Sequence, residues 1–292
     1  MNRYDHRVHA GNAGDVWKHF LLLEATDHLL EPGGGLVYAE SHAGRPEYVL
    51  SAPGDWEGGI GKIWPRLPFL GDFSYFKILA DLNSGSPSPV QARQPVSGSN
   101  LTPEYRPILG PIPGPTFKPI IYPGSTCLIY ELAGRRGANL QAYVWDDDED
   151  VAGSWDGFAA RARSTKSIPK AEIIFHRGDG FSGVLSSLSS SPPGLLFIDP
   201  AYIDPEDAAL AEKLLQRAKD LGWIVLWWYM TDMPTAPEGL DRFELRFSQA
   251  GLYGGKWKGA VVAFSGEDSD RYDRLISHIN QQIRKFFQIL NR

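Results

Sequence analysis

Cysteine is almost absent from this chain, since Cys127 is the single one among 292 residues. One thiol excludes an intramolecular disulfide and a cysteine-based zinc site, and it is compatible with a reducing cytosol. Long apolar runs are absent as well, because none approaches the ~20 residues that a membrane-spanning helix needs. The first residues contain no apolar signal core either. We therefore expect a cytoplasmic protein with no membrane segment and no bound metal.

Positive charge is also in short supply, with 29 Lys and Arg residues against 35 Asp and Glu and a formal net charge of −6. That balance argues against a protein coated in nucleic acid. It leaves room for a local basic patch on an enzyme that contacts nucleic acid briefly. The length suits one large α/β domain with an insertion, or two small domains.

A short apolar run followed by an acid organises the rest of the chain. Leu195–Ile198 predicts a strand buried on both faces, as in a parallel sheet. Asp199-Pro200-Ala201-Tyr202 follows, and then a predicted helix with Asp204 as N-cap and Pro205 at the first helical position. Asp199 would then lie at the carboxyl end of a parallel strand, where open α/β sheets bind their ligands.

Positive and protonatable side chains are concentrated in the first nineteen residues. They are Arg3, His6, Arg7, His9, Lys18 and His19, with Tyr4 among them. Asn12 and Asp15, three residues apart, form a helix N-cap pattern, and a helix is predicted to run to about Leu30. Lys18 and His19 would lie near its positive end, where the helix dipole disfavours them. An anionic or carboxylate-bearing ligand would account for their presence.

The remaining periodicity predicts alternating strands and helices. Strands are predicted at residues 36–40, 140–145, 172–176, 223–229, 243–247 and 260–264, and helices at residues 126–133 and at about 272–286. The turn after the first strand should let backbone approach a nucleotide, which calls for small residues. Ala43-Gly44 supplies only one glycine there, so the loop alone does not identify a nucleotide site.

Taken together and in order, these motifs resemble the RlmJ family, whose members methylate the exocyclic amine of an adenine in large-subunit ribosomal RNA. The most specific part is the N-terminal block, because its density of His, Lys and Gly is not a generic feature of a fold. That block consists of Tyr4, His6, His9-Ala10-Gly11-Asn12, Asp15 and Lys18-His19. The resemblance continues through His42-Ala43-Gly44, Trp56-Glu57-Gly58-Gly59-Ile60, Ile63-Trp64, Tyr122-Pro123-Gly124-Ser125, Gly178-Asp179-Gly180-Phe181 and Asp199-Pro200-Ala201-Tyr202. The last motif is similar to the (Asp/Asn)-Pro-Pro-(Tyr/Phe) motif of amino-group methyltransferases.

The resemblance implies a class I Rossmann-like methyltransferase fold, with a mostly parallel seven-stranded sheet, helices on both faces and a helical, proline-rich insertion. It implies S-adenosylmethionine as cofactor and large-subunit ribosomal RNA as partner, and we expect a monomer. The cofactor would be bound by Lys18, His19, His42, Gly44, Ser125, Asp179, Gly180 and Asp199. Asp199, Pro200 and Tyr202 would act in catalysis, and Tyr4, His6, Lys256 and Lys258 would bind the substrate. The two last lysines flank Trp257, a pattern that suits RNA phosphates and bases; a plain exposed loop is the alternative.

Three departures from the family pattern stand out. Arg45-Pro46 replaces a second glycine, and this rigid, bulky pair would narrow the cofactor site. Ala201 replaces the second proline of the motif. The family's glutamate at the end of the second sheet strand, expected to hold the cofactor ribose, has no counterpart in strand 140–145. Asp146 would be its substitute, but we interpret the acidic run 146–148 as a solvated loop.

Proline is concentrated in one stretch, because ten of the 22 prolines lie between residues 84 and 123. Such a stretch does not form the interior of a helix or sheet, and we interpret it as a surface insertion. The chain then divides into residues 1–50, with the N-terminal motif and the first part of the methyltransferase domain, an inserted helical and proline-rich subdomain at 51–121, and the remainder of the methyltransferase domain at 122–292.

The chemistry of the motif favours methylation of adenine in RNA. An adenine amine is a poor nucleophile because its lone pair is conjugated with the ring. The Asp199 carboxylate and the Pro200 carbonyl would accept hydrogen bonds from its two hydrogens, while Tyr202 stacks on an unpaired or flipped base. A DNA adenine methyltransferase is one alternative, since the motif contacts the base and not the sugar. A nucleic-acid-binding protein without methyl transfer, linked to use of external DNA, is another, and binding of S-adenosylmethionine would discriminate it.

Overall fold

The structure is a computed structural model that describes residues 6–30, 34–50, 53–84, 120–164, 171–233, 238–267 and 269–291. Tyr4 and most of the proline-rich stretch lie outside the described residues, as does the side chain of His6. The division of the chain into three parts therefore stays a prediction.

Strands and helices alternate along most of the described chain. The strands are β1 Gly35–Glu40, β2 Glu47–Val49, β3 Ile121–Pro123, β4 Asn139–Asp146, β5 Ala171–Arg177, β6 Leu195–Ile198, β7 Ile224–Met230, β8 Asp241–Arg246 and β9 Gly259–Ser265. The helices are α1 His6–His9, α2 Ala13–Leu29, α3 Ile60–Ile63, α4 Ser74–Leu82, α5 Ser125–Arg136, α6 Glu149–Ser164, α7 Gly180–Ser187, α8 Asp207–Asp220 and α9 Asp270–Leu290. All the strands and long helices predicted from periodicity are confirmed, with ends shifted by a few residues.

Seven strands form one sheet in the order β5-β4-β1-β6-β7-β9-β8. The pairs from β5 to β7 are parallel, and β9 pairs antiparallel with both β7 and β8. The chain order reverses between β1 and β6, which lie side by side at the centre of the sheet. In open α/β sheets a crevice for ligands forms at such a reversal, outside the carboxyl ends of the strands.

Helices cover both faces of this sheet, and β6 shows why its sequence is apolar throughout. Leu195 and Phe197 belong to one buried cluster, whereas Leu196 and Ile198 belong to another on the opposite face. The first cluster is closed by side chains from α2, α4, α5 and α9, and the second by α7 and α8. A strand buried on both faces has no polar side, as predicted. The predicted Rossmann-like α/β fold, with a mostly parallel seven-stranded sheet and helices on both faces, is confirmed.

The predicted start of α2 is confirmed, and the burial of α2 explains much of the site. Asn12 caps the helix, since its Oδ1 accepts a hydrogen bond from the Asp15 N–H at 2.9 Å. Most of the side chains of α2 are buried, because α4, α5, α9 and the sheet pack around it. The charge of a residue in the first turns of α2 therefore has to be compensated by other groups inside the protein.

The predicted start of α8 is wrong. The helix begins at Asp207, not at Pro205. Asp204 is instead part of a preceding turn, in which its Oδ1 accepts from the Glu206 N–H at 2.9 Å and its carbonyl accepts from the Asp207 N–H at 3.1 Å. An aspartate can satisfy nearby backbone donors in a turn as well as at an N-cap, and here the turn prevails.

A second, two-stranded sheet was not predicted. β2 and β3 pair antiparallel, with Tyr48 opposite Tyr122. The pair joins the loop after β1 to the residues just before α5, and both segments reach the central crevice. None of the helices formed by the described residues combines the length and apolarity needed to cross a membrane.

Candidate functional site

A pocket of about 740 Å³ opens at the carboxyl edge of the sheet, beside the reversal between β1 and β6. The predicted site residues that line it are Lys18, His19, His42, Gly44, Ser125, Asp199, Pro200, Tyr202 and Lys256. These residues come from five separate segments of the chain. Asp179, Gly180 and Lys258 lie outside this lining within the described part of the chain.

Lys18 forms two ion pairs in this pocket. Its Nζ lies 2.7 Å from Oδ2 of Asp199 and 2.8 Å from Oδ1 of Asp15. The other oxygen of Asp15 accepts from the Gly11 N–H at 2.7 Å. The protein's own carboxylates compensate the unfavourable helix dipole, so an external anionic ligand is not needed to account for Lys18.

One ammonium shared between two carboxylates separates their pKa values. Burial works against the charge on Lys18, but the two carboxylates outweigh it and raise its pKa. Burial likewise works against ionised Asp15, and Lys18 outweighs it, so the pKa of Asp15 is lowered. For Asp199 burial prevails over Lys18 and raises the pKa to about 7. Asp199 is therefore the group of the three that titrates near neutral pH.

Oδ1 of Asp199 is buried and has no hydrogen-bond partner among the described residues. Its neighbour Oδ2 is already bound to Lys18. An unpaired buried acceptor costs on the order of 1–3 kcal/mol, so such an atom in a pocket indicates a missing donor. The site thus contains one carboxylate oxygen whose hydrogen-bonding capacity the described residues leave unused.

Tyr202 closes one side of the pocket in a strained conformation. Its φ of 54° lies in the left-handed region, where non-glycine residues are uncommon. The hydroxyl holds it there by donating to the Trp228 carbonyl at 2.5 Å and accepting from Trp227 Nε1 at 2.7 Å. Trp228 also lies under Lys18, whose Nζ is 4.8 Å from the ring centroid. The aromatic wall beside Asp199 therefore includes Trp228, which sequence reasoning placed only in a strand.

The loop after β1 is fastened by Asp146. Gly44 has a φ of 60°, and its N–H donates to Oδ2 of Asp146 at 3.0 Å. Asp146 also accepts from the Asp148 N–H at 2.9 Å and is only 6% exposed. The interpretation of Asp146 as part of a solvated loop is wrong, because its carboxylate is buried and accepts a hydrogen bond from the loop after β1. Burial raises its pKa.

Arg45-Pro46 leads from this loop into β2. The Arg45 N–H donates to the Tyr48 hydroxyl at 2.8 Å, and the Pro46 carbonyl accepts from the Gly124 N–H at 2.8 Å. Among the described residues that line the pocket, neither Arg45 nor Pro46 appears. The placement thus gives no support to the expected narrowing of the cofactor site.

Asp179 and Gly180 lie beside the same loop. Asp179 caps α7, since its Oδ1 accepts from the Ser182 N–H at 2.7 Å. Gly180 packs so closely on Ser41 that a Cβ would overlap the Ser41 carbonyl oxygen. Phe181 packs edge-on against His42, with ring centroids 4.6 Å apart. The segment therefore supports the loop that lines the pocket, while its cofactor role stays a prediction.

Glu40 is a buried acid that sequence reasoning did not assign to the site. It ends β1 and accepts from the hydroxyls of Ser125, Thr126 at 2.6 Å and Tyr38 at 2.9 Å. Burial raises its pKa to about 8. The Ser125 hydroxyl, predicted to bind the cofactor, is thus engaged in holding α5 to β1. The sequence signal that could have pointed to Glu40 is its position as an acid at the end of an apolar strand.

His19 is held in the wall of the pocket by a chain of hydroxyls. Its Nδ1 is 2.9 Å from the Tyr122 hydroxyl, which is in turn 2.9 Å from the Tyr75 hydroxyl. Burial lowers the pKa of His19 to about 3, so the ring is neutral at physiological pH. It can offer or accept a hydrogen bond but carries no charge toward a ligand.

The predicted substrate-binding residues are only partly described. Lys256 lines the pocket, with its Nζ 4.6 Å from the ring centroid of Trp257, and Lys258 is exposed nearby. Within the described residues, no group of three His, Cys, Asp or Glu side chains is arranged to hold a metal ion.

No family model matches the chain. The ribosomal RNA large subunit methyltransferase J of Haemophilus influenzae is 34% identical over 91 residues, which cover 29% of this chain and 32% of that protein. The protein of the same name from Escherichia coli is 34% identical over 71 residues, 23% of this chain and 25% of that protein. The chain thus matches about a third or less of the length of these relatives, and within that span the family resemblance is confirmed.

A solved structure extends the likeness in fold to nearly the whole chain. The crystal structure of a Legionella pneumophila protein superposes with a TM-score of 0.64 at 19% sequence identity. The alignment covers 96% of this chain and 94% of that one. At this identity the comparison supports the fold alone.

Proposed function

We propose that this chain is an S-adenosylmethionine-dependent methyltransferase that acts on the exocyclic amine of adenine in large-subunit ribosomal RNA, in the cytoplasm. The observation that carries the proposal is Asp199, which lines the pocket at the carboxyl end of β6 and whose buried Oδ1 has no hydrogen-bond partner among the described residues. The names of the two curated relatives support a ribosomal RNA substrate.

The pocket suits the cofactor in size and in the chemistry of its walls. Its volume of about 740 Å³ lies within the usual range for small-molecule sites. Gly44, in a left-handed conformation, allows close approach of backbone, and His42 and neutral His19 offer hydrogen-bonding atoms. S-adenosylmethionine, when bound, supplies an electrophilic methyl group on a positively charged sulfur.

Asp199 and Pro200 would prepare the amine for attack. Oδ1 of Asp199 accepts one amine hydrogen and the Pro200 carbonyl accepts the other, which favours a tetrahedral nitrogen and releases its lone pair from the ring. The amine lone pair would then take up the methyl group that the cofactor supplies, and the electron pair of the former carbon–sulfur bond would remain on sulfur. The methylated amine afterwards loses a proton, and Asp199, with its pKa near 7, is a suitable acceptor.

Lys18 would fix which oxygen of Asp199 acts. Because Nζ is bound to Oδ2, rotation of the carboxylate is restricted and Oδ1 would be the oxygen left for the amine. The contribution is positioning, which accounts for much of the rate in a displacement reaction of this kind.

Substitution of Asp199 tests the proposal. Asp199→Ala and Asp199→Asn should lower the rate of labelled methyl transfer to protein-free large-subunit RNA at least about 100-fold, equivalent to roughly 3 kcal/mol. Most of the affinity for RNA should be retained, because it comes largely from phosphate contacts made by basic residues. Asp204→Asn, in the exposed turn before α8, is the matched control and should retain full activity.

Near-normal transfer by both Asp199 variants would contradict the proposed role of this site. Transfer to adenine-containing DNA but not to RNA would instead support the DNA methyltransferase alternative. A protein that binds nucleic acid but not S-adenosylmethionine would support the binding-protein alternative.

A further inference from the structure

Tyr253 is among the most exposed large apolar side chains that the structure describes. It is 68% exposed, and only Phe69 and Ile203, both 70% exposed, exceed it among the described residues. Tyr253 and Ile203 both line the pocket that contains Asp199. Exposed apolar side chains that line a pocket are a mark of a surface that receives a partner.

The backbone beneath Tyr253 is firmly held. Its N–H donates to the Gly58 carbonyl at 2.8 Å. Gly58 packs against the carbonyl of Tyr253 so closely that a Cβ there would overlap it, and Gly254 packs on the Phe247 ring in the same way. The exposed ring therefore stands on a fixed platform.

The residues after Tyr253 form a tight turn that carries a cation. Gly254 and Trp257 are bridged, with the Trp257 N–H donating to the Gly254 carbonyl at 3.1 Å, and Gly255 has a φ of 64°. Lys256 lies at the tip of the turn over the face of Trp257. An exposed aromatic ring beside a cation suits a nucleotide, whose base stacks and whose phosphate is anionic.

Two carboxylates in the pocket lining indicate which part of a nucleotide would contact Tyr253. Asp55 and Glu57 line the pocket and shortly precede Gly58, the residue that anchors Tyr253. Carboxylates there repel a phosphate, so the neighbourhood of Tyr253 favours an uncharged base. Lys256, at the tip of the turn, is the better phosphate contact.

We propose that Tyr253 is a stacking platform for an unpaired base of the RNA substrate, adjacent to the target adenine, with Ile203 as a second apolar contact. This inference rests on the proposed function, since it takes the ligand of the pocket to be a nucleotide. It restricts the substrate to single-stranded or looped RNA, because a base within a duplex cannot stack on a side chain.

Fluorescence anisotropy with a short labelled single-stranded RNA tests the proposal on the full chain. Tyr253→Ala should weaken binding about five-fold or more, since stacking on one aromatic side chain contributes at least that factor. Tyr253→Phe should bind within two-fold of the unmodified protein, because the ring is retained. Phe69→Ala, equally exposed but outside the pocket lining, is the matched control. The weakening caused by Tyr253→Ala should be the same at low and high salt.

Unchanged affinity in Tyr253→Ala would overturn the proposal, and so would an equal weakening in Tyr253→Phe or tight binding of a fully paired duplex. Failure of the proposed function is measured separately, as absence of labelled methyl transfer by the unmodified protein. A Tyr253-dependent affinity in a protein that transfers no methyl group would support the stacking platform and contradict the methyltransferase.

Discussion

Lys18 and Asp199 lie 181 residues apart in the sequence, yet Nζ of the lysine is 2.7 Å from Oδ2 of the aspartate. Both side chains are only 11% exposed. The pair links the first turns of α2 to the end of β6, so the N-terminal block and the Asp-Pro-Ala-Tyr motif form one site. Through this contact the helix determines the orientation of the carboxylate.

Lys18→Met should destabilise the protein and impair the site. It leaves the carboxylates of Asp15 and Asp199 buried without their cation, at a cost of about 3 kcal/mol in the free energy of unfolding. The pKa of Asp199 should rise further, so methyl transfer should be reduced more strongly at pH 7 than at pH 9. Urea unfolding and methyl transfer at both pH values check this. Exposed Lys62→Met should change neither, and equal effects in both variants would contradict the ion-pair role.

Glu40 should make stability depend on pH. Its folded pKa of about 8 lies above the ordinary value of 4.5, so the folded state binds the proton more tightly. The resulting stabilisation is complete below about pH 4.5 and is lost as the pH rises toward 8. From pH 5.5 to 8 the unmodified protein should lose about 3 kcal/mol more than Glu40→Gln, whose amide does not titrate. If urea unfolding gave the same pH dependence of the free energy of unfolding for both proteins, Glu40 would be ionised over the whole range from pH 5.5 to 8, contrary to the prediction.

Lys256 and Lys258 should supply part of the electrostatic affinity for RNA. The double variant Lys256→Ala with Lys258→Ala should bind more weakly and with a shallower salt dependence, by about 0.7 in the logarithmic slope for each phosphate that is no longer neutralised. Binding titrations over a range of salt concentrations measure both quantities. Lys213→Ala on the exposed side of α8 serves as control. A double variant with an unchanged slope would refute a phosphate-binding role.

Arg45 should have little influence on the cofactor. The structure places it outside the pocket lining, so Arg45→Ala should bind S-adenosylmethionine within about two-fold of the unmodified protein, a difference of roughly 0.4 kcal/mol. Gly44→Ala should weaken binding, because alanine is strained at a φ of 60° and displaces the loop. Calorimetry compares the two variants directly. Much tighter binding by Arg45→Ala would restore the expectation that this residue narrows the site.

Patterns of neighbouring residues were enough to predict the seven strands of the large sheet and their order along the chain, but not the pairing of β2 with β3. The apolar runs that became β6 and β7 and the cap at Asn12 could be predicted, because strand burial and capping depend on residues close together in the chain. The collinear motifs were likewise local, and they sufficed for the family resemblance and the fold class. The exact start of α8 could not be predicted in this way. Asp204 can satisfy backbone N–H groups either as a helix N-cap or within a turn, and the two arrangements place the start of this helix a few residues apart.

The working of the site, in contrast, depends on tertiary packing. In the folded protein Lys18 pairs with two buried carboxylates. The Asp146 carboxylate is buried and accepts a hydrogen bond from the Gly44 N–H. Three hydroxyl groups donate to Glu40. Folding also paired Oδ2 of Asp199 with Lys18 and left Oδ1 without a hydrogen-bond partner among the described residues. These outcomes depend on distances between segments far apart in the chain and on the water that folding excludes. Neither quantity is a property of a local pattern of residues. The motifs therefore identified residues of the site, whereas tertiary packing determined which groups each of them contacts.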